Sequence, residues 1–160
     1  MQAWSAFFQV QAGASAALLG LVFVSLSINS AAIIASPHLP NRALEALVIL
    51  FLNLAFSSLC LVPSQAQRMP AIETIILVGV VWVVLSLLHR HTFKHIEAEF
   101  RRHAWFNATC GQLLALSWFL GGLALFVQGD AGIGWLVAPI MASYLLALFN
   151  AWVLLVEINR

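Results

Sequence analysis

The residues with the greatest capacity for chemistry lie in one charged stretch, HRHTFKHIEAEFRRH, at positions 89–103. On a helix, steps of about four residues place side chains on one face. That spacing is followed by His91, His95, Glu99 and His103. Two histidines at this spacing can share a Zn²⁺ ion, and a carboxylate one turn on adds a third ligand. Two other interpretations stay open: a pH-responsive histidine cluster, and an amphipathic segment whose basic residues bind anionic lipid.

A second set of polar residues is scattered through apolar sequence and comprises Asn29, Glu45, Asn53, Asn107, Asn150 and Glu157. A polar group in hydrocarbon needs a partner, so these positions indicate where helices touch or where a ligand passes. Together they predict a polar vestibule at one end of a helix bundle. The alternative is that they only form hydrogen bonds between helices, worth about 0.6 kcal/mol each. Glu45 can also pair with Arg42, three residues earlier, and Glu157 with Arg160.

The overall composition indicates that these residues are carried by a membrane protein. Of 160 residues, 62% are hydrophobic and 8% charged, and the mean hydropathy is +0.97. A soluble domain has about 25% charged residues. The net charge of +1 gives no general attraction to nucleic acid. Cys60 and Cys110 form no Cys-x-x-Cys motif, which argues against a thiol redox centre.

Five apolar stretches are each long enough to cross a hydrocarbon core of about 30 Å. They are residues 13–35, 43–63, 71–88, 104–127 and 134–158. We therefore expect an all-α polytopic transmembrane bundle that forms a single domain over residues 1–160, with the histidine segment continuing the third helix. The alternative has four spans, with the first or third stretch lying in the membrane interface.

The basic residues predict how the bundle is oriented. With five spans, one side of the membrane collects six of the seven Lys and Arg residues, and the other side has Arg68 alone. Because cytoplasmic loops are enriched in Lys and Arg, the pattern places the N-terminus outside and the C-terminus in the cytoplasm.

Four strings in the chain resemble those of a family of small bacterial integral membrane proteins. They are AGASAALLGLVFVSLSIN (12–29), LPNRALEALVIL (39–50), SSLCLVPSQ (57–65) and NAWVLLVEINR (150–160). Members of that family have been labelled, by weak transfer, as modulators of a membrane protease, and no catalytic residue is assigned to them. The resemblance implies a multi-pass protein of the bacterial inner membrane without a known cofactor.

Three classes of function follow from these patterns. The preferred expectation is a structural or regulatory protein that binds other membrane proteins through helix faces, and no catalytic constellation favours an enzyme. The small-residue face of Gly13, Ala17 and Gly20 serves either packing within the bundle or a homo-oligomer. The second is a homo-oligomeric channel or transporter that uses the polar vestibule. The third is a metal- or pH-responsive site on the histidine segment. The expected surroundings are the lipid bilayer and protein partners, including copies of the chain, without nucleic acid.

Overall fold

A computed structural model describes residues 2–35, 39–66, 68–95 and 101–158, and no strand occurs in these ranges. The apolar stretches form helices because a helix satisfies every backbone hydrogen bond within its own segment, as hydrocarbon surroundings require. The α-helices are α1 (Ser5–Ile28), α2 (Ser30–Ala35), α3 (Leu39–Cys60), α4 (Met69–His95), α5 (Arg101–Gln128) and α6 (Gly134–Ile158). Short 3₁₀-helices at Gln2–Trp4 and Gly129–Ile133 precede α1 and α6.

Four helical stretches in the described ranges are long and apolar enough to cross a membrane, judged by length and composition. They are Ser5–Ile28, Leu39–Cys60, Met69–Lys94 and Arg101–Leu154. The last has 54 residues, and as one straight helix it would extend about 81 Å. Instead it contains α5 and most of α6, which pack against each other. The chain reverses through the 3₁₀-helix, where Gly129 adopts a φ of 61° that glycine accommodates without strain.

The first predicted span differs in its bounds from the helices observed. α1 begins at Ser5 rather than near residue 13, and the helix is interrupted at Asn29 before α2 begins. The side-chain amide of Asn29 donates to the carbonyl oxygen of Ser25 (2.9 Å), the acceptor that its own backbone N–H reaches at 3.3 Å. This competition for one carbonyl weakens the helical hydrogen-bond ladder and accounts for the interruption.

α3 is the central helix of the bundle, since it packs against α1, α4 and α6. About one turn before its C-terminal end is an aromatic cluster, in which the Phe56 ring meets Phe8 of α1 and Trp118 of α5 edge to face, with centroids 5.6 and 5.1 Å apart. All three rings are fully buried. Such edge-to-face pairs are each worth about 0.5–1.5 kcal/mol beyond their buried area, so the cluster fixes how far each helix slides along its neighbours.

One end of the bundle carries most of the positive charge. α3 and α5 begin there and α4 ends there, and Leu154 near the end of α6 belongs to one buried cluster with Leu39 and Ala43 near the start of α3. We name this region, with Arg42, Arg90, Lys94, Arg101 and Arg102, the basic end. Arg68 lies in the connection at the opposite end, between α3 and α4.

Candidate functional site

A buried polar network joins three helices just inside the basic end. The Asn107 amide of α5 donates to Oε2 of Glu45 on α3 (2.6 Å), and Nε2 of His89 on α4 lies 3.3 Å from Oε1 of the same carboxyl group. Glu45 is 2% exposed, His89 8% and Asn107 5%. Carboxyl and imidazole groups are this deeply buried only when they are paired, so this contact is the principal ionisable site in the described ranges.

The proton on His89 can be located from its neighbours. The indole N–H of Trp82 can only donate, so the Gln112 atom that it contacts is the carbonyl oxygen Oε1. The Gln112 amide nitrogen then donates to Oγ of Ser86 (3.3 Å) and to Nδ1 of His89 (3.2 Å). An Nδ1 that accepts carries no proton, so His89 is the neutral tautomer and its Nε2–H donates to Glu45.

This arrangement gives the site room for one more proton, at two alternative positions. A proton on the Glu45 carboxyl group would add an O–H to an oxygen that already accepts from His89 or Asn107. A proton on Nδ1 of His89 would face the Gln112 N–H, so Gln112 would have to turn and lose its bond to Trp82. The bond between Gln112 of α5 and Trp82 of α4 therefore depends on Nδ1 of His89 remaining an acceptor.

The close approach of the three helices depends on Gly111 of α5. A Cβ atom at this position would lie 2.9 Å from Cε1 of His89 and 3.1 Å from Oε1 of Glu45. These distances are shorter than ordinary van der Waals contact, so a glycine lets the backbone of α5 reach the imidazole and the carboxyl group together.

The predicted polar vestibule is brought together in part. Glu45 and Asn107 are hydrogen-bonded to each other, whereas Asn53 and Asn150 are fully buried and their amide atoms have no partner among the described residues. Asn29 bonds to its own helix backbone. Glu157 lies in α6, but its side chain is outside what the structure describes, so the predicted pairing with Arg160 stays a prediction.

The predicted metal site lies largely outside the described part of the chain. Glu99 and the side chain of His95 fall there, while His103 is exposed on α5. Nδ1 of His91 lies 3.0 Å from the Asn41 amide, which also donates to Thr92. The described residues contain no group of three His, Cys, Asp or Glu side chains that could hold a metal ion. The Zn²⁺ site stays a prediction.

Sequence reasoning did not single out His89, Trp82 and Gln112. Trp82, Ser86 and His89 follow one another at spacings of four and three, which place them on one face of α4. This polar face on an otherwise apolar helix could have indicated that the three residues pack against a neighbouring helix. His89 was instead grouped with the charged residues that follow it, and Glu45 was matched with Arg42.

No protein-family model, curated protein or solved structure matches the chain. The family resemblance carried by the four sequence strings therefore stays an expectation.

Proposed function

We propose that this chain is a five-span protein of a bacterial inner membrane that responds to pH through a proton-binding site formed by Glu45 and His89. The proposal depends on one observation, the buried contact between the Glu45 carboxyl group and the His89 imidazole. Binding or loss of a proton at this contact changes the charge inside the bundle. The neighbouring bonds of Asn107 and Gln112 convert that change into a change in how α3, α4 and α5 pack.

The charge pattern supports a position for this site in the cytoplasmic half of the membrane. The basic end has five of the chain's seven Lys and Arg residues, and a sixth is at position 160, just after α6. The positive-inside rule then puts the N-terminus outside and the C-terminus in the cytoplasm. His89 faces Glu45 from α4, and Arg42 lies about one turn earlier on α3. The proton site is therefore within reach of cytoplasmic pH.

Infrared difference spectroscopy of the purified full-length chain tests the proton site. We expect lowered pH to produce the carbonyl band of a protonated carboxyl group, and Glu45→Gln to remove this band. Glu73→Gln is the matched control, because Glu73 is half-buried near the opposite end and accepts from Gln65 (3.0 Å). Identical difference spectra from the native chain and Glu45→Gln would contradict the proposal.

A second candidate function, binding to other membrane proteins, is favoured by α1. This helix packs mainly on α3, and large side chains such as Leu21 and Phe23 are exposed. A Cβ at Gly13 or Gly20 would meet nothing within 4 Å, so a partner helix can approach the backbone closely there. We expect crosslinking in native membranes to yield one defined species that is lost in Gly20→Leu and kept in Gly79→Leu. A chain that stays monomeric throughout contradicts this candidate.

A further inference from the structure

Seven buried polar atoms of the described residues have no hydrogen-bond partner. They are Oε1 of Gln11, both amide atoms of Asn53, Oγ of Ser57, Oδ1 of Asn107 and both amide atoms of Asn150. Buried polar groups are almost always satisfied, by protein or by ordered water, and a polar site can hold water where an apolar one stays dry. These atoms therefore indicate hydrated sites inside the bundle.

One group of these atoms lies near the middle of the bundle. Phe8 of α1 meets Phe56 of α3, and these helices run in opposite directions, so Gln11 lies at the level of Asn53. Ser57 is one turn from Asn53 on α3. Amide and hydroxyl groups of two helices thus lie within about one helical turn of the same depth.

The other group lies at the level of the proton site. Trp118 of α5 donates to Ser143 of α6 (2.9 Å), which fixes how these antiparallel helices are aligned. Seven residues further towards the basic end, Asn150 lies at the level of Gly111, whose backbone approaches Glu45. The unpartnered atoms of Asn150 are therefore at the depth of the Glu45–His89 contact.

A polar contact between α1 and α6 lies next to the first group. The hydroxyl groups of Ser15 and Tyr144 are 2.7 Å apart, and the Tyr144 hydroxyl donates to the backbone carbonyl of Gln11 (3.1 Å). Along α3, Glu45 and Ser57 are separated by about 18 Å at 1.5 Å per residue. Polar groups thus recur along this whole distance.

Both ends of this series meet a cavity. At the basic end, His89 and Gln112 line a groove of about 470 Å³ between α4 and α5. At the opposite end, a cavity of about 690 Å³ is lined by Cys60, Ser64 and Asp130 among others, and begins one turn beyond Ser57.

We propose that ordered water fills these sites and that the water, with Glu45 and His89, carries protons from one end of the bundle to the other. The inference rests on the proposed proton site and extends it to the opposite side of the membrane. Each proton that enters at one end releases one at the other, so the chain itself is unchanged after every transfer.

Proton flux into vesicles tests the path. The full-length chain is reconstituted in zwitterionic vesicles that contain a pH-sensitive dye, and a potassium diffusion potential set with valinomycin drives proton entry. We expect faster acidification than in protein-free vesicles, and we expect Asn53→Leu and Asn150→Leu to reduce it to the protein-free rate. Asn29→Leu is the matched control and keeps the flux, because Asn29 bonds to its own helix backbone.

A fourth variant, Asn53→Ser, distinguishes a blocked path from a misfolded protein. Asn53→Ser keeps a hydroxyl group for water, so it retains the flux, whereas a folded Asn53→Ser without flux overturns the path. Native flux equal to that of protein-free vesicles, or unchanged flux in a folded Asn53→Leu, also overturns it. The infrared experiment on Glu45 tests the proposed proton site separately. A Glu45 that binds a proton in a chain without proton flux supports the proton site and contradicts only the path.

Discussion

Truncation of Asn107 to alanine removes the shorter of two hydrogen bonds to the Glu45 carboxyl group. Hydrogen bonds to a charged group contribute about 1.5–3 kcal/mol, and short ones are the stronger. The Asn107 bond measures 2.6 Å and the His89 bond 3.3 Å. We therefore expect coupling energies with Glu45 of about 3 kcal/mol for Asn107 and about 1.5 kcal/mol for His89.

Double-mutant cycles measure these couplings without counting the cavity that each truncation leaves. The free energy of unfolding is measured in mixed micelles for Glu45→Ala, Asn107→Ala and the double variant, and the set is repeated with His89→Ala. Thr109→Ala is the control, because the Thr109 hydroxyl bonds to the backbone of its own helix. Its coupling to Glu45 should stay within about 0.5 kcal/mol of zero.

We expect Asn107 to couple to Glu45 more strongly than His89 does. A His89 coupling larger than that of Asn107 would mean that the imidazole carries a full positive charge. The neutral tautomer inferred from the Trp82 and Gln112 contacts would then be wrong. Two couplings no larger than the control would refute the network as a source of stability.

Three further predictions concern single positions. Gly111→Ala should destabilise the bundle by about 1–3 kcal/mol through overpacking, whereas Gly79→Ala, whose Cβ meets nothing within 4 Å, should be neutral or slightly stabilising in the same unfolding assay. Trp82→Phe frees the amide that orients His89, so the nitrogen-15 spectrum of that imidazole should change from one tautomer to a mixture; an unchanged spectrum contradicts the tautomer assignment. If the histidine segment binds Zn²⁺, purified protein should contain it stoichiometrically and His95→Ala should lose it, while native protein without metal ends that idea.

The class of the fold could be predicted because it depends on composition alone. In stretches this apolar, a helix satisfies the hydrogen bonds of the backbone whatever the individual side chains are. The interruption at Asn29 was harder to predict. It arises because the Asn29 amide donates to a carbonyl of its own helix rather than to a group on a neighbouring helix. The start of α1 at Ser5 likewise adds two turns that contain Gln9 and Gln11, polar residues that a hydropathy pattern does not place in a span.

The sequence predicted how deep in the bundle each site residue lies, but not which way its side chain points. A rise of 1.5 Å per residue places Glu45 and Asn107 at similar distances from the ends of their helices, so their meeting could be anticipated. The rotation of each helix about its own axis could not be predicted in this way. α4 and α5 are apolar around most of their circumference, so sequence periodicity does not reveal which face packs inwards. His89 therefore looked like part of a charged surface segment, although the rotation of α4 and the absence of a side chain at Gly111 place it against the Glu45 carboxyl group. In a bundle of this kind, polar residues at matching depths on different helices are the useful signal, and glycines at the same depth indicate which helices approach closely enough to bring them together.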